Sequence, residues 1–265
     1  MSVQHLYGTP APQSQPTSAS AISADASAEA SSKQEQDGSA SGGAPDKLHV
    51  TSHNQYKTPR LLRENLSPNP LKQFNTWLSS ALQPTDDSPM VKEPEAMTLS
   101  TSTKEGIPSS RVVLLKTVDE KGFVFFTNYT SRKSRELSVN PYASVAFYWR
   151  EISRSVRVVG RVEKVSRQES EEYFASRPRG SQVGAWASEQ STVVEEGQVA
   201  KRVEEKEKEF EGRVVECPPH WGGWRIVPFE VEFWSGQPSR LHDRFRYSRP
   251  QDSESTEWTI DRLAP

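Results

Sequence analysis

The chain has 265 residues, with 35 acidic against 33 basic side chains and a formal net charge of −2. That balance excludes a whole-chain field directed at nucleic acid. One cysteine, Cys217, excludes an intramolecular disulfide and fits a reducing compartment.

The hydrophobic fraction is only 33%, and the deficit is concentrated at the start. Residues 1–46 are mostly Ser, Ala, Gln, Gly, Pro and Asp. Such a segment buries too little surface to offset its ordering entropy, so a disordered tail is expected, followed by a folded domain over 47–265. The first residues lack the apolar core of a signal peptide and the arginines of a presequence. No apolar run approaches a membrane span. The expectation is a soluble cytoplasmic protein with no membrane partner.

Asn69-Pro70 reads as an N-cap with proline at the first helical position. Leu71, Phe74, Trp77, Leu78, Ala81 and Leu82 then recur at helical spacing, and Pro84 stops the run. From Ala96 the pattern changes to strands: Ala96–Thr103, Ser110–Val118 and Phe123–Asn128, with Asp119 to Gly122 as a hairpin turn. A short helix is expected over Ser131–Val139, then strands over Tyr142–Arg150 and Ser155–Val165. Val156, Val158, Gly160 and Val162 share one face of the second strand.

Ser166 to Glu169 reads as a capping box opening a helix that ends before Pro178. Glu195–Glu211 reads as a charged helix with a thin apolar stripe, closed by Gly212. Trp221-Gly222-Gly223-Trp224 reads as a tight turn. Strands over Trp224–Trp234, Arg240–Tyr247 and Glu257–Leu263 complete the chain. Joined mostly by turns, these strands predict a largely antiparallel, mainly β fold with peripheral helices, closed as a barrel.

Four clusters carry chemistry. Ser109 to Lys116 is a buried-looking strand bracketed by two cations, equally readable as an ordinary core strand. Thr127 to Arg135 brings hydroxyls and cations to a helix start, a good phosphate cradle; alone, such a run is more often a solvated basic turn. Tyr173 to Trp186 contains Arg177, Arg179 and Ser181, which could hold a second anion or simply finish a helix. In Glu232 to Arg244, Arg240, His242 and Arg244 alternate. On a strand they would share a face and repel one another unless an anion or polar ligand sits there. The five histidines are scattered, so no metal site is expected. No Walker loop, dinucleotide-binding fingerprint or nucleophile elbow occurs.

Taken together these blocks resemble the pyridoxine/pyridoxamine 5′-phosphate oxidase family. The ordered motifs are Arg-Val-Val-Leu-Leu-Lys, Thr-Asn-x-x-Ser-Arg-Lys and Tyr-Phe-x-Ser-Arg-Pro-Arg-x-Ser-Gln-x-Gly-Ala-Trp. Ser-x-Gln-Ser, Glu-Phe-Trp with Arg-Leu-His-Asp-Arg, and a final Ile-Asp-Arg-Leu-Ala-Pro follow. The resemblance runs from about residue 56 to 265. It implies an FMN-binding split β-barrel that forms a homodimer with FMN at the subunit interface. The implied reaction oxidises pyridoxine 5′-phosphate or pyridoxamine 5′-phosphate to pyridoxal 5′-phosphate. O2 accepts the electrons, H2O2 is released, and the amine also yields ammonia.

The resemblance also assigns residues. Arg111, Val112, Val113, Leu114, Leu115 and Lys116 would line FMN, with Phe126, Thr127, Arg132 and Lys133 around its ribityl phosphate. Gln190 and Ser191 would reach FMN from the partner subunit, and Trp234 and Arg244 would complete the pocket. Lys116, Tyr173, Arg177 and Ser181 would bind the substrate phosphate. Arg240, Leu241 and His242 would lie at the pyridine ring, with Arg240 and His242 nearest the chemistry. Guanidinium stays protonated, so Arg240 is cast as an electrostatic and positioning group. His242 titrates near neutrality and is cast as assisting proton removal.

Three positions depart from the family pattern. Ser155 stands where a flavin-contacting glutamine is expected. Only Tyr56 of His53-Asn54-Gln55-Tyr56 matches the segment that covers the substrate. Phe126 replaces a frequent tyrosine. Two other readings stay open: a split-barrel flavoprotein of another class, such as a reductase or pigment binder, and a non-catalytic carrier of pyridoxal 5′-phosphate.

Overall fold

The computed structural model describes residues 55–56, 58–83, 89–251 and 257–265. The expected tail over 1–46, His53, Asn54 and Pro84 lie outside them. The first helix, α1 (Pro70–Leu82), starts as its sequence dictates. Asn69 Oδ1 accepts from the Leu71 and Lys72 amides at 2.8 and 3.2 Å, and Pro70 sits where no donor is needed. Its buried face carries Leu71, Phe74, Trp77 and Ala81. Phe74 lies 4.9 Å from both Phe123 and Phe147, so α1 plugs the strands with an aromatic cluster. Each such pair contributes roughly 0.5–1.5 kcal/mol beyond its area.

The strands are β1 (Ala96–Ser102), β2 (Pro108–Leu114), β3 (Thr117–Val118), β4 (Phe123–Asn128), β5 (Tyr142–Trp149), β6 (Arg154–Lys164), β7 (Trp221–Ser235), β8 (Asp243–Ser248) and β9 (Thr259–Leu263). They form one antiparallel sheet in the order β2-β1-β5-β6-β7-β4-β3, with β8 and β9 added beside β7. The two ends of that path, β2 and β3, are joined by Leu115 and Lys116 alone, so the sheet curls back on itself. No ladder joins β2 to β3 or β4 among the described residues. The expected closed barrel is therefore a split one. The asymmetry of burial along β6 follows the expected alternation, with Val156, Val158, Gly160 and Val162 turned inward.

The helices α2 (Arg132–Val139), α3 (Arg167–Ala175), α4 (Arg179–Ala187) and α5 (Gln198–Glu209) lie between strands. A second small core gathers Phe174, Val183, Val215, Cys217 and Trp221, with Val203 and Phe210 of the α5 region against it.

Five expectations change. The strand over Ser110–Val118 breaks at Leu115-Lys116, because the Leu115 amide bonds Glu95 while the Lys116 amide bonds Val124 on the other side. The capping box is half formed: Ser166 Oγ accepts from the Glu169 amide, but the Glu169 carboxylate turns to Arg225 at 2.9 Å. α4 is a helix that the sequence does not signal, since Gly180 and Gly184 lower its helix propensity.

Trp221 to Trp224 is no turn but the start of β7. A Cβ on Gly222 would stand 2.3 Å from the Tyr129 hydroxyl, so glycine is needed there for close packing. Lastly, the strand expected from Arg240 starts only at Asp243. Pro238–Arg240 is a 3₁₀ turn with Ser239 and Arg240 at φ 56° and 62°, so Arg240, His242 and Arg244 do not alternate along one strand.

Candidate active site

The start of α2 builds an anion cradle. Ser131 caps the helix, leaving its positive end toward β4. Lys133 is 6% exposed, and its Nζ lies 3.2 Å from Thr127 Oγ1, 3.1 Å from Gln190 Oε1 and 3.5 Å from Ser131 Oγ. These acceptors are neutral, so the ammonium is solvated but its charge is not balanced. Burial, with Arg111 close by, lowers Lys133 to about 8. Arg111 donates to Thr101 and Ser109 and stands 3.4 Å from Glu136 Oε2. Burial pulls the Arg111 guanidinium down against that carboxylate. Glu136 also receives Arg132 Nε at 2.9 Å and Ser109 Oγ at 2.6 Å. Burial pushes the Glu136 carboxyl up, but donors from Ser109, Thr101 and Arg132 together hold it at about 2. Two cations, Arg111 and Arg132, thus share one carboxylate.

Two implied members of this group stand differently. Gln190 contacts Thr127 at 3.0 Å and Lys133 within its own chain, whereas the resemblance assigned it to the partner subunit. A short loop after α4 brings it there, with Ser191 next to it at φ 72°. Arg135 turns away to the Thr130 carbonyl.

A second cationic site lies at the α3–α4 junction. Phe126, Tyr173 and Trp221 stack, with ring centroids 4.1 Å apart for Phe126–Tyr173 and 5.5 Å for Phe126–Trp221. The Arg177 guanidinium lies 4.8 Å from the Trp221 centroid, and its buried NH1 has no hydrogen-bond partner. Burial lowers its pKa. A buried guanidinium nitrogen without a protein partner, beside aromatic rings, suits an oxyanion. Ser181 follows in the first turn of α4, exposed. Arg179 does not join them: it donates to the Arg213 and Phe210 carbonyls at 3.0 and 2.6 Å and finishes α5.

The third group is a cleft of about 520 Å³ lined by Tyr56, Tyr148, Ser155, Trp234 and Arg244 among others. Trp234 and His242 are 4.6 Å apart, and Tyr56 stands edge-on to both at 5.4 and 5.5 Å. Arg244 is held by Glu232 at 2.7 Å and by the Ala264 carbonyl at 2.8 Å, so the C-terminus closes the cleft wall. The Ser155 hydroxyl donates to the Phe147 carbonyl at 2.8 Å and is turned into the sheet. Burial lowers the His242 pKa, and Arg240 and Arg244 lower it further. Arg240 and Leu241 are exposed beside it.

The first and third groups use opposite faces of one sheet. Arg111 is in register with Leu99, which is fully buried, while its neighbour Val112 is 67% exposed on the outer face. Trp234 is in register with Ser155 and Tyr148 and lies between inward positions such as Phe233, so it points outward. Val112, Leu114 and Tyr148 leave apolar surface open on that outer side.

Residues 88–210 match the family described as pyridoxamine 5′-phosphate oxidase, and residues 221–265 match the pyridoxine 5′-phosphate oxidase C-terminal dimerisation region. Curated proteins named pyridoxine/pyridoxamine 5′-phosphate oxidase from Burkholderia thailandensis and Burkholderia pseudomallei are each 52% identical over 213 residues, covering 79% of this chain and 95% of theirs. The chain belongs to the pyridoxine/pyridoxamine 5′-phosphate oxidase family. It is an oxidoreductase of that family.

Among solved structures, PhzG from Burkholderia lata in complex with tetrahydrophenazine-1-carboxylic acid is 30% identical at a TM-score of 0.70, covering 78% of this chain and 99% of its own. A pyridoxamine 5′-phosphate oxidase-related, FMN binding protein from Nostoc punctiforme shares the fold at 15% identity and a TM-score of 0.57, covering 76% and 99%. Within the oxidase family's two matched regions lie all three groups of side chains, with Tyr56 alone outside them. No helix among the described residues is long and apolar enough to cross a membrane, and no cluster of metal-ligating side chains occurs among them.

Sequence reasoning passed over the carboxylates and the amide that aim this oxidase's cations. Glu136 lies four residues after Arg132, a helical pairing that was available to find. Glu232 binds both Arg157 and Arg244, and Asp243, fully buried, binds Arg60 and Arg262. Gln237, 4% exposed, bonds both Thr58 and His242. Nothing in local spacing marks these last three, because each has a partner distant in sequence: Arg157 for Glu232, Arg60 for Asp243 and Thr58 for Gln237.

Proposed function

We propose that this family member oxidises pyridoxamine 5′-phosphate and pyridoxine 5′-phosphate to pyridoxal 5′-phosphate, using bound FMN and O2. The observation that carries the reading is the pair of separate cationic sites. One gathers Arg111, Arg132 and Lys133 at a helix start; the other holds Arg177 with an unpaired NH1. Two phosphate esters, one on a cofactor and one on a substrate, account for both.

The donor set fits FMN. The buried, unbalanced charge of Lys133 suits a phosphate dianion, with Thr127, Arg132 and Gln190 as further contacts. Beside it, the segment that carries Arg111 continues through Val112, Val113, Leu114, Leu115 and Lys116 along the ring, with Phe126 its neighbour. Trp234 and Arg244 supply the opposite wall, and Ser191 extends the loop that carries Gln190. When bound, FMN supplies the two-electron acceptor that O2 regenerates with release of H2O2.

The chain's own residues bind and orient. Lys116, Tyr173, Arg177 and Ser181 hold the substrate phosphate. Arg240 and Leu241 cover the pyridine ring, and His242 hydrogen-bonds to it. Because the Arg111 cradle and the Trp234 cleft use opposite faces, a homodimer is inferred in which each copy lends its cleft to the other's cradle. The match to a dimerisation region over 221–265 supports this.

The likeness to PhzG favours a second reading, with a carboxylate-bearing tricyclic substrate. Such a ligand carries no phosphate and leaves Arg177 without the dianion its site suits. The test is peroxide release from pyridoxamine 5′-phosphate by the FMN-loaded protein. Turnover with stoichiometric aldehyde is expected; none, alongside turnover of a reduced phenazine carboxylate, would replace this reading with the second.

A further inference from the structure

Gln237 lies outside both cationic sites, and its role emerges from two sets of hydrogen bonds. Its backbone N–H donates to His242 Nδ1 at 3.1 Å. Its side-chain nitrogen donates to oxygens of the 58–59 segment: Thr58 O at 3.3 Å, Thr58 Oγ1 at 3.2 Å and Pro59 O at 3.2 Å. Thr58 in turn donates to the Gly236 carbonyl. Two residues before Thr58, the Tyr56 ring rests on Gly236, where a Cβ would come within 2.6 Å of it. Gln237 is thus the joint between the Tyr56 segment and the imidazole that Tyr56 abuts.

The amide contact has a chemical consequence. A neutral imidazole has one N–H and one lone pair. The Gln237 amide occupies the Nδ1 lone pair, so the ring proton resides on Nε2. A proton on Nδ1 would oppose one N–H to another. Neighbouring charge disfavours the doubly protonated ring as well: Arg240 and Arg244 face it, and the Asp243 carboxylate beside it is taken by Arg60, Arg262 and the Leu61 amide.

We propose that Gln237 is a positioning residue that fixes His242 as the neutral Nε2–H tautomer, a hydrogen-bond donor to the substrate instead of a proton acceptor, and couples it to the Tyr56 segment. The donor's target rests on the function proposed above; the tautomer does not. It removes the sequence-based role of His242 in proton abstraction, because neither ring nitrogen keeps a free lone pair.

The test uses the full-length, FMN-loaded protein with ¹⁵N-labelled histidine, the His242 signals being assigned by their loss in His242→Asn. The expected spectrum at neutral pH has the proton on Nε2 and none on Nδ1. An Nδ1–H ring or an imidazolium would overturn the proposal. Gln237→Leu is expected to raise KM for pyridoxamine 5′-phosphate about 10-fold, as lost neutral hydrogen bonds do, with kcat and FMN affinity little changed. Combined with Tyr56→Ala its effect on KM should be less than multiplicative. Independent, multiplicative effects would refute the coupling. If the amine gives no peroxide at all, the functional reading fails while the spectrum still decides the tautomer.

Discussion

The Arg177 guanidinium lies 4.8 Å over Trp221 with one buried nitrogen unpaired, while Arg179, two residues on, is fully engaged at the end of α5. Two arginines of one motif, separated by Pro178, therefore have different partners. Arg177→Leu should raise KM for the phosphorylated substrate by about 10²-fold, since a charge-assisted hydrogen bond contributes roughly 1.5–3 kcal/mol and more than one is lost. Arg179→Leu should leave KM near its starting value and lower stability instead. Steady-state kinetics on both variants separates the roles.

Lys133 makes the cradle pH-dependent. Its pKa in the fold is about 8 against 10.5 for the free side chain, lowered by burial and by Arg111. In flavin-free protein the unfolded chain therefore binds more protons between those values, so stability should rise as pH increases through that window. FMN affinity should do the reverse, weakening above about pH 8 as the ammonium is lost. Thermal melts of apoprotein and flavin fluorescence titrations across pH 7–10 test both, and Lys133→Met should flatten both curves.

Arg240 sits in a left-handed turn at φ 62°, exposed at the rim of the cleft and bonded to neither cradle. Arg240→Ala should cut kcat/KM for the amine by more than 10²-fold, as expected when an aimed cation is removed from the reacting end. The purified variant should keep its yellow colour. Loss of flavin would move Arg240 into the cofactor wall.

Arg225 ties three elements together, bonding Asp119 of the β3–β4 turn at 2.7 Å, Glu163 of β6 at 3.2 Å and Glu169 of α3 at 2.9 Å. The arginine is nearly buried but its partners are partly exposed, which moderates the loss. Arg225→Ala should destabilise the fold by about 2 kcal/mol, read from urea unfolding, with KM unchanged.

Every side chain placed in the site lies at or after Tyr56, and the family match begins at residue 88. A protein reduced to residues 47–265 should therefore retain full turnover and FMN binding. A large loss of kcat would give residues 1–46 a role in catalysis.

Local chemistry was legible wherever partners are near in sequence. Asn69-Pro70 starts α1, the Asp119–Gly122 turn joins β3 to β4, and the valine alternation of β6 faces the core. The site's charged and aromatic residues were legible as clusters, too. Their division was not. Arg111 and Arg132 share Glu136 across a strand and a helix. Arg135 and Arg179 close turns, and Gln190 belongs to the chain whose Lys133 it touches. The left-handed turn at Ser239-Arg240 broke the alternation that Arg240, His242 and Arg244 display on paper.

By itself the sequence determined the antiparallel fold, the N-cap of α1 and the inventory of cations around Glu232 to Arg244 and Arg111 to Lys133, because periodicity and capping act over a few residues. Only the tertiary structure decided which cations stay unpaired, which carboxylates hold the others, and which nitrogen of His242 carries the proton. Those outcomes depend on contacts between residues up to about 180 positions apart, as between Gln237 and Thr58, and local pattern holds no record of them.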